Sequence, residues 1–264
     1  MIKRIIRHIK NLTLDFYVNL HKKSPRINYF IPRQLIYILT DNLYPPPIEP
    51  VKRSPEEEIA FQVEKNYHAV MGEARNDKIA EHLFSMIPPE SKNILDLGCG
   101  SGYWTMRIAG MFPNAFVVGI DCGRKFIEKA RHNTSMVVSP IFQCRDFNNL
   151  LEFSGFYGCV YADSSLEHSY NIEKTLAEIY RVLHPGGTLV AAFPADGLNP
   201  RYNNESHLWK TTAEDVRARL GQAGFINIEI EEIDIYLEFL MVPYPPSRDM
   251  VLFLRAEKPK GRPR

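Results

Sequence analysis

The sequence predicts an α/β fold: a doubly wound, mostly parallel sheet of seven strands behind an N-terminal helical extension. Three observations carry this. From residue 93 onward, strand-like and helix-like segments alternate, the pattern of a parallel sheet covered on both faces. The first two strands read as a short buried strand around Ile94–Leu97 that carries an acid, Asp96, near its end, and as a continuous apolar run over Phe116–Ile120, the pattern of strands buried on both faces. Between them Gly98, Gly100 and Gly102 recur at alternate positions, a spacing that lets a backbone turn tightly and leaves no Cβ between main chain and ligand.

The elements follow in order. Residues 1–33 carry Lys3, Arg4, Arg7, Lys10, Lys22, Lys23, Arg26 and Arg33 against one acid, Asp15. Ile2, Ile5, Ile6, Ile9, Leu12 and Phe16 recur there at helical spacing, so a basic amphipathic helix is expected. It either docks its apolar face on the domain or lies on an anionic membrane surface. Leu35-Ile36-Tyr37-Ile38-Leu39 reads as a second helix. Tyr44-Pro45-Pro46-Pro47-Ile48-Glu49-Pro50 favours an extended link. Ser54-Pro55-Glu56-Glu57-Glu58 then has the N-cap, first-position proline and acidic first turn of a helix start. The chain therefore divides into an extension and linker over 1–53 and a cofactor-binding domain over 54–264. A helix over Ala74–Met86 stops before Pro88-Pro89. Strands are expected at 93–97, 116–120, 140–144, 157–162, 187–193, 225–233 and 249–256, and helices at 102–111, 123–133, 171–183 and 211–223. Pro185-Gly186-Gly187 separates the third of these helices from the strand after it.

Composition narrows the function. An apolar share of 45% over 264 residues is that of a globular protein with a sizeable core. A formal net charge of +1 is not that of a dedicated nucleic-acid binder, and no DNA partner is expected. The four cysteines, Cys99, Cys122, Cys144 and Cys159, show no C-x-x-C pair and no zinc spacing. They are expected to be buried, reduced thiols of a cytoplasmic protein, and no metal site is expected. No stretch approaches 18 apolar residues and no secretory signal is evident. Peripheral contact with the inner membrane face through residues 1–33 stays open.

The glycine turn decides the chemistry. A helix starting near Tyr103 sets free N–H groups and a positive dipole end behind it, a cradle for a nucleotide-type cofactor. A nicotinamide or flavin fingerprint requires glycine at the position of Tyr103, and a P-loop requires a following Gly-Lys-Ser/Thr; neither is present. Asp96-x-Gly98-x-Gly100-x-Gly102 instead resembles motif I of the class I S-adenosylmethionine-dependent methyltransferases. Leu183-His184-Pro185-Gly186-Gly187 and Gly224-Phe225 resemble further signatures of that family, in order, over roughly residues 70–256. The resemblance implies a Rossmann-like sheet whose last strand inserts antiparallel, with S-adenosylmethionine as methyl donor and S-adenosylhomocysteine as product.

It also implies roles for strand ends. Asp96, Gly98, Cys99, Gly100 and Gly102 would cradle the cofactor, with Cys122 lining the same pocket. Asp121, closing the second strand, would accept from the ribose hydroxyls; its other reading is a helix cap for the segment from Arg124. Asp146 would accept from the adenine amine and Phe147 pack near the base; Asp146 also reads as a surface turn acid. Ala162-Asp163-Ser164-Ser165-Leu166-Glu167-His168 resembles the stretch after the fourth strand in small-molecule methyltransferases, including those of quinone biosynthesis. Asp163 joins the cofactor set there. At the start of that strand Tyr157-Gly158 stands where the family often has Phe-Asp. His168 is a candidate general base or a structural histidine, and His207, in the long loop after the fifth strand, is the second catalytic candidate. Tyr202, Trp209 and Tyr236–Pro246 are candidates to shape the acceptor pocket. The expected acceptor is a small molecule, a lipid or a sugar-type precursor. An RNA or protein methyltransferase, and a non-catalytic module binding a partner or membrane, are the alternatives.

Overall fold

A computed structural model describes residues 73–134, 139–195, 208–209, 211–235 and 250–261. The 1–53 extension, the helix start at Ser54, His207, Tyr202 and Tyr236–Pro246 lie outside the described residues. The elements are α1 (Glu73–Met86), β1 (Asn93–Leu97), α2 (Tyr103–Met111), β2 (Phe116–Asp121), α3 (Arg124–Asn133), β3 (Ile141–Cys144), β4 (Tyr157–Asp163), α4 (Ile172–Val182), β5 (Leu183–Pro194), α5 (Ala213–Gln222), β6 (Ile226–Asp234) and β7 (Met250–Glu257). Short 3-10 turns at Phe147–Asn149 and Leu166–His168 follow β3 and β4.

The seven strands form one sheet in the order β3-β2-β1-β4-β5-β7-β6. β1 to β5 pair in parallel, and β7 runs antiparallel to both β5 and β6. The strand order reverses between β1 and β4. In an open α/β sheet that reversal, at the carboxyl ends of the strands, is where ligands bind.

Two apolar layers sandwich the sheet. On one face Ile94, Val117, Cys159, Val190 and Phe253 meet Ile79, Leu83 and Phe84 of α1 and Ile108 of α2. On the other, Leu95, Val118, Val160 and Leu189 meet Leu176 and Ile179 of α4 and Val216 and Leu220 of α5. Full burial of both faces accounts for the apolar residues that flank Asp96 in β1 and for the apolar run that leads to Asp121 in β2.

The expected strands and helices correspond to the observed ones within a few residues, with one difference. β5 begins at Leu183, ahead of Pro185-Gly186-Gly187, rather than after it. Leu183 pairs with Tyr157 and Thr188 with Cys159, with a register shift between them. The proline and glycines therefore bulge out of the β4–β5 ladder. Gly186 N and Gly187 O instead bond Lys258 O and Lys258 N just past β7. The thiols also depart from expectation in part: none of the four is in a disulfide, but only Cys99, Cys144 and Cys159 are buried. Cys122 is exposed because it stands beyond β2, in the turn to α3, where no sheet layer covers it.

Candidate active site

β1 leads into the glycine turn at the point of strand reversal. Gly98 and Cys99 both donate their N–H to Ile120 O, at 2.7 and 3.0 Å, which ties the turn to β2. Gly98 has φ +89°, and a Cβ built there would stand 2.3 Å from the Ser165 Cβ. Ser165 is itself anchored, its hydroxyl donating to Leu97 O at 2.7 Å. The segment after β4 thus presses directly on the turn, and only glycine fits. At Gly100 the reverse holds: φ is +51° and nothing among the described residues lies within 4 Å of the Cβ position. Gly102 caps α2 without any side-chain hydrogen bond, and no acid occupies the first turn of that helix. Free N–H groups and a positive dipole end at a helix N-terminus suit an anionic group.

The Asp121 carboxylate joins this turn to the next one. Oδ2 accepts from Gly100 N at 3.0 Å and Oδ1 from Gly123 N at 2.6 Å. It is not the cap of α3: Gly123 is, and without side-chain help. Cys99 is buried, its thiol turned to Gly100 O at 3.7 Å, and burial, then the nearby Asp96 and Asp121, push its pKa well up. Both groups are thus built into the wall of the turn rather than reactive in it.

Asp96 sits beneath the turn, 2% exposed. Thr105 of α2 donates to its Oδ2 at 2.6 Å. Burial raises its pKa to about 7; the Thr105 bond works against that, while the charges of Asp163 and Asp121 add to it. Three carboxylates converge here from the ends of β1, β2 and β4. That arrangement is costly unless a cation joins it.

Asp146 caps the 3-10 turn after β3, its Oδ1 accepting from Asn148 N at 2.9 Å and its Oδ2 from the Tyr170 hydroxyl at 2.7 Å. Its turn-acid reading is therefore present, alongside a tyrosine clamp. The Phe147 ring edge stands 3.5 Å from the Cβ position of Gly98, against the glycine turn. After β4, Ser164 adopts φ +49° and donates its hydroxyl to Asp163 Oδ1 at 2.9 Å. Left-handed backbone at a residue other than glycine marks a strained strand end.

His168 ends the 3-10 turn, its side chain 22% exposed with Nε2 at 3.9 Å from Glu167 Oε1. Leu208 N donates to Glu167 O at 3.0 Å and the Trp209 indole N–H to Leu166 O at 2.8 Å. Chain from beyond β5 thus returns to the His168 turn. Trp209 packs edge-to-face on Phe193 and under Arg219, so its described role is structural.

The structure brings Asp96, the glycine turn, Asp121, Phe147 and Asp163 to one end of the sheet. Sequence reading missed Thr105, Ser165, Tyr161 and Tyr170. Ser165 carried a signal: a small residue must face the approach that Gly98 makes possible. Among the described residues, no group of three or more His, Cys, Asp or Glu is arranged to hold a metal ion.

A methyltransferase-domain family model matches residues 89–236. The chain is 32% identical over 156 residues to the O-methyltransferase cnsE of Penicillium expansum, covering 55% of this chain and 56% of that one. It is 26% identical over 201 residues to the malonyl-[acyl-carrier protein] O-methyltransferase of Geobacter sulfurreducens, covering 70% of this chain and 72% of the relative. The match thus spans little more than half of the Penicillium protein. Among solved structures, the Haemonchus contortus phosphoethanolamine N-methyltransferase 2 in complex with S-adenosyl-L-methionine superposes with a TM-score of 0.54 at 18% identity, covering 64% of this chain and 49% of that one. Its likeness is one of fold. With the family model spanning more than half of the sequence, the chain belongs to the methyltransferase-domain family.

Proposed function

We propose that the protein transfers a methyl group from S-adenosylmethionine to a small-molecule, lipid or sugar-type acceptor. One observation carries the reading: the Asp121 carboxylate bridges Gly100 and Gly123, so the open glycine turn and the acid closing β2 act as one cradle. The bare N-terminus of α2 fits the cofactor's carboxylate, and the converging Asp96, Asp121 and Asp163 fit its positive charges. When bound, the cofactor supplies an electrophilic methyl on a good leaving group, so the chain's own task is to bind, to orient and to remove a proton. Small-molecule acceptors accord with the names of the relatives, which include a malonyl-[acyl-carrier protein] O-methyltransferase and a trans-aconitate 2-methyltransferase.

His168, at the end of the turn after β4, takes the proton that a hydroxyl or acidic carbon loses as it gains the methyl. His168→Gln is expected to lower the transfer rate about 10²-fold or more with cofactor affinity unchanged. Loss of affinity instead would assign His168 a structural part.

The decisive measurement is calorimetric titration of the full chain with S-adenosylmethionine, followed by label transfer from the methyl-labelled cofactor into small-molecule, RNA and protein fractions. Saturable binding and labelled small molecules are expected. Absence of binding with the cofactor at about 1 mM overturns the proposal; label in RNA or protein replaces its acceptor class.

The raised Asp96 carboxyl adds a pH signature. Its folded pKa of about 7 lies above its ordinary 3.8. The folded apoprotein therefore binds more protons than the unfolded chain between those values, and its stability falls as pH rises through that window. A bound cation reverses the preference and favours the carboxylate. Cofactor binding near pH 6.5 is then expected to release about half to one proton, read as a buffer-dependent binding enthalpy. Affinity should weaken as pH falls below about 7. Equal enthalpies in buffers of different ionisation heat would show that Asp96 does not respond to the ligand.

A further inference from the structure

On the α1 face of the sheet, Asp96 of β1 stands directly opposite Tyr161 of β4. Asp163, two residues further along β4, falls on the same face as Tyr161. The Tyr161 ring is held in place, stacked on Phe84 of α1 with centroids 5.7 Å apart and planes 28° from parallel. It is fully buried, and its hydroxyl lies in reach of Asp163, though the pair falls short of full hydrogen-bond geometry. Phenylalanine would fill the same space without desolvating an O–H group. The site keeps the hydroxyl, and keeps it beside two carboxylates. Burial, then the charges of Asp163 and Asp96, raise the phenol pKa well above its usual value. At neutral pH Tyr161 is therefore a proton donor only in the hydrogen-bonding sense.

The surrounding charges define what this donor faces. Asp96 lies opposite on β1 and Asp121 at the end of β2; Asp163 is on its own strand, and the Cys99 thiol is in the glycine turn. From α2 comes Arg107, which pairs with Asp77 of α1 at 3.2 Å and lies over the Phe84 and Trp104 rings. Its charge is paired with Asp77 and opposes the rise of the Tyr161 pKa without cancelling it. A donor aimed at a carboxylate favours the ionised form. Thr105 already serves Asp96 in this way, and Ser164 serves Asp163 through Oδ1.

We infer that Tyr161 is a positioning residue for the cationic part of the cofactor: its hydroxyl donates to Asp163 and helps hold the Asp96–Asp163 pair ionised, ready for the ligand's positive charge. The inference rests on the function proposed above. It adds a buried layer beneath the cradle whose task is to keep negative charge available where the ligand brings positive charge.

Calorimetric affinity of the full chain for S-adenosylmethionine, measured from about pH 6 to 9, tests it. Wild type is expected to bind more weakly below a midpoint set by the carboxylates. Tyr161→Phe keeps the ring stack on Phe84, so it should melt at the same temperature as wild type or higher. Its midpoint should move up by about half to one pH unit, with affinity at the alkaline end within about threefold of wild type. In an Asp163→Ala background, which removes the acceptor and its charge, adding Tyr161→Phe should cause no further shift. Superimposable profiles for Tyr161→Phe and wild type overturn the inference, as does a full shift persisting without Asp163. Wild type that binds no cofactor at any pH removes the proposed function instead, which separates the two failures.

Discussion

Gly98→Ala is expected to abolish cofactor binding and to destabilise the fold by about 2–6 kcal/mol, through two costs of about 1–3 kcal/mol each. The first is backbone strain, since a φ of +89° is one that L side chains rarely adopt. The second is overpacking, since the new methyl would stand 2.3 Å from the Ser165 Cβ. That serine cannot easily retreat, because its hydroxyl is bonded to Leu97 O. The two costs are separable. Ser165→Gly in the Gly98→Ala background removes the steric contact and leaves the strain, so about half of the lost stability should return. Denaturant unfolding of the single and double variants reads both terms. A Gly98→Ala protein with wild-type stability and affinity would mean that the turn is free to relax and is not the rigid cradle described.

Asp121→Ala should weaken S-adenosylmethionine binding by about 10²-fold or more. It removes two charge-assisted hydrogen bonds, each worth about 1.5–3 kcal/mol, from Gly100 N and Gly123 N. Both backbone donors then lie in a turn with no replacement acceptor in place. Asp121→Asn should fall between Ala and wild type, because one amide oxygen can serve only one of them while the NH2 opposes the other. The variants also remove a charge that raises the Asp96 pKa. The proton release on cofactor binding should therefore shrink near pH 6.5 and move to lower pH. Titration calorimetry of both variants in two buffers measures affinity and proton count together. Wild-type affinity in Asp121→Ala would place the cofactor elsewhere.

How far the sequence could be read follows from the range of each interaction. β1, the glycine turn and β2 were legible because their signals are local: two short apolar strands, each with an acid near its end, and alternate glycines, all within 93–121. The cap-free start of α2 followed from Gly102 in the same way. What escaped depends on cross-strand register. Tyr161 matters because it stands opposite Asp96, and Ser165 because its Cβ meets Gly98; neither partner is visible in the residues around it. Tyr170 reaches Asp146 across 24 residues. The early start of β5 has the same cause. Pro185-Gly186-Gly187 has local turn chemistry, yet Leu183 pairs with Tyr157, and Lys258 beyond β7 takes up the backbone groups of Gly186 and Gly187. The raised pKa of Asp96 reflects three carboxylates brought together by β1, β2 and β4, a sum that no single motif contains.

The placement of β7 between β5 and β6 has a consequence for biosynthesis. A ribosome releases β6 before the strand that must lie on both of its neighbours' edges. Until β7 emerges, nascent β6 has no ladder to join, and the growing molecule is a five-stranded platform with an open flank along β5. The end of the sheet where Asp96, Asp121 and Asp163 converge, drawn from β1, β2 and β4, belongs wholly to that earlier platform. The exposed flank along β5 waits for the one insertion that closes it.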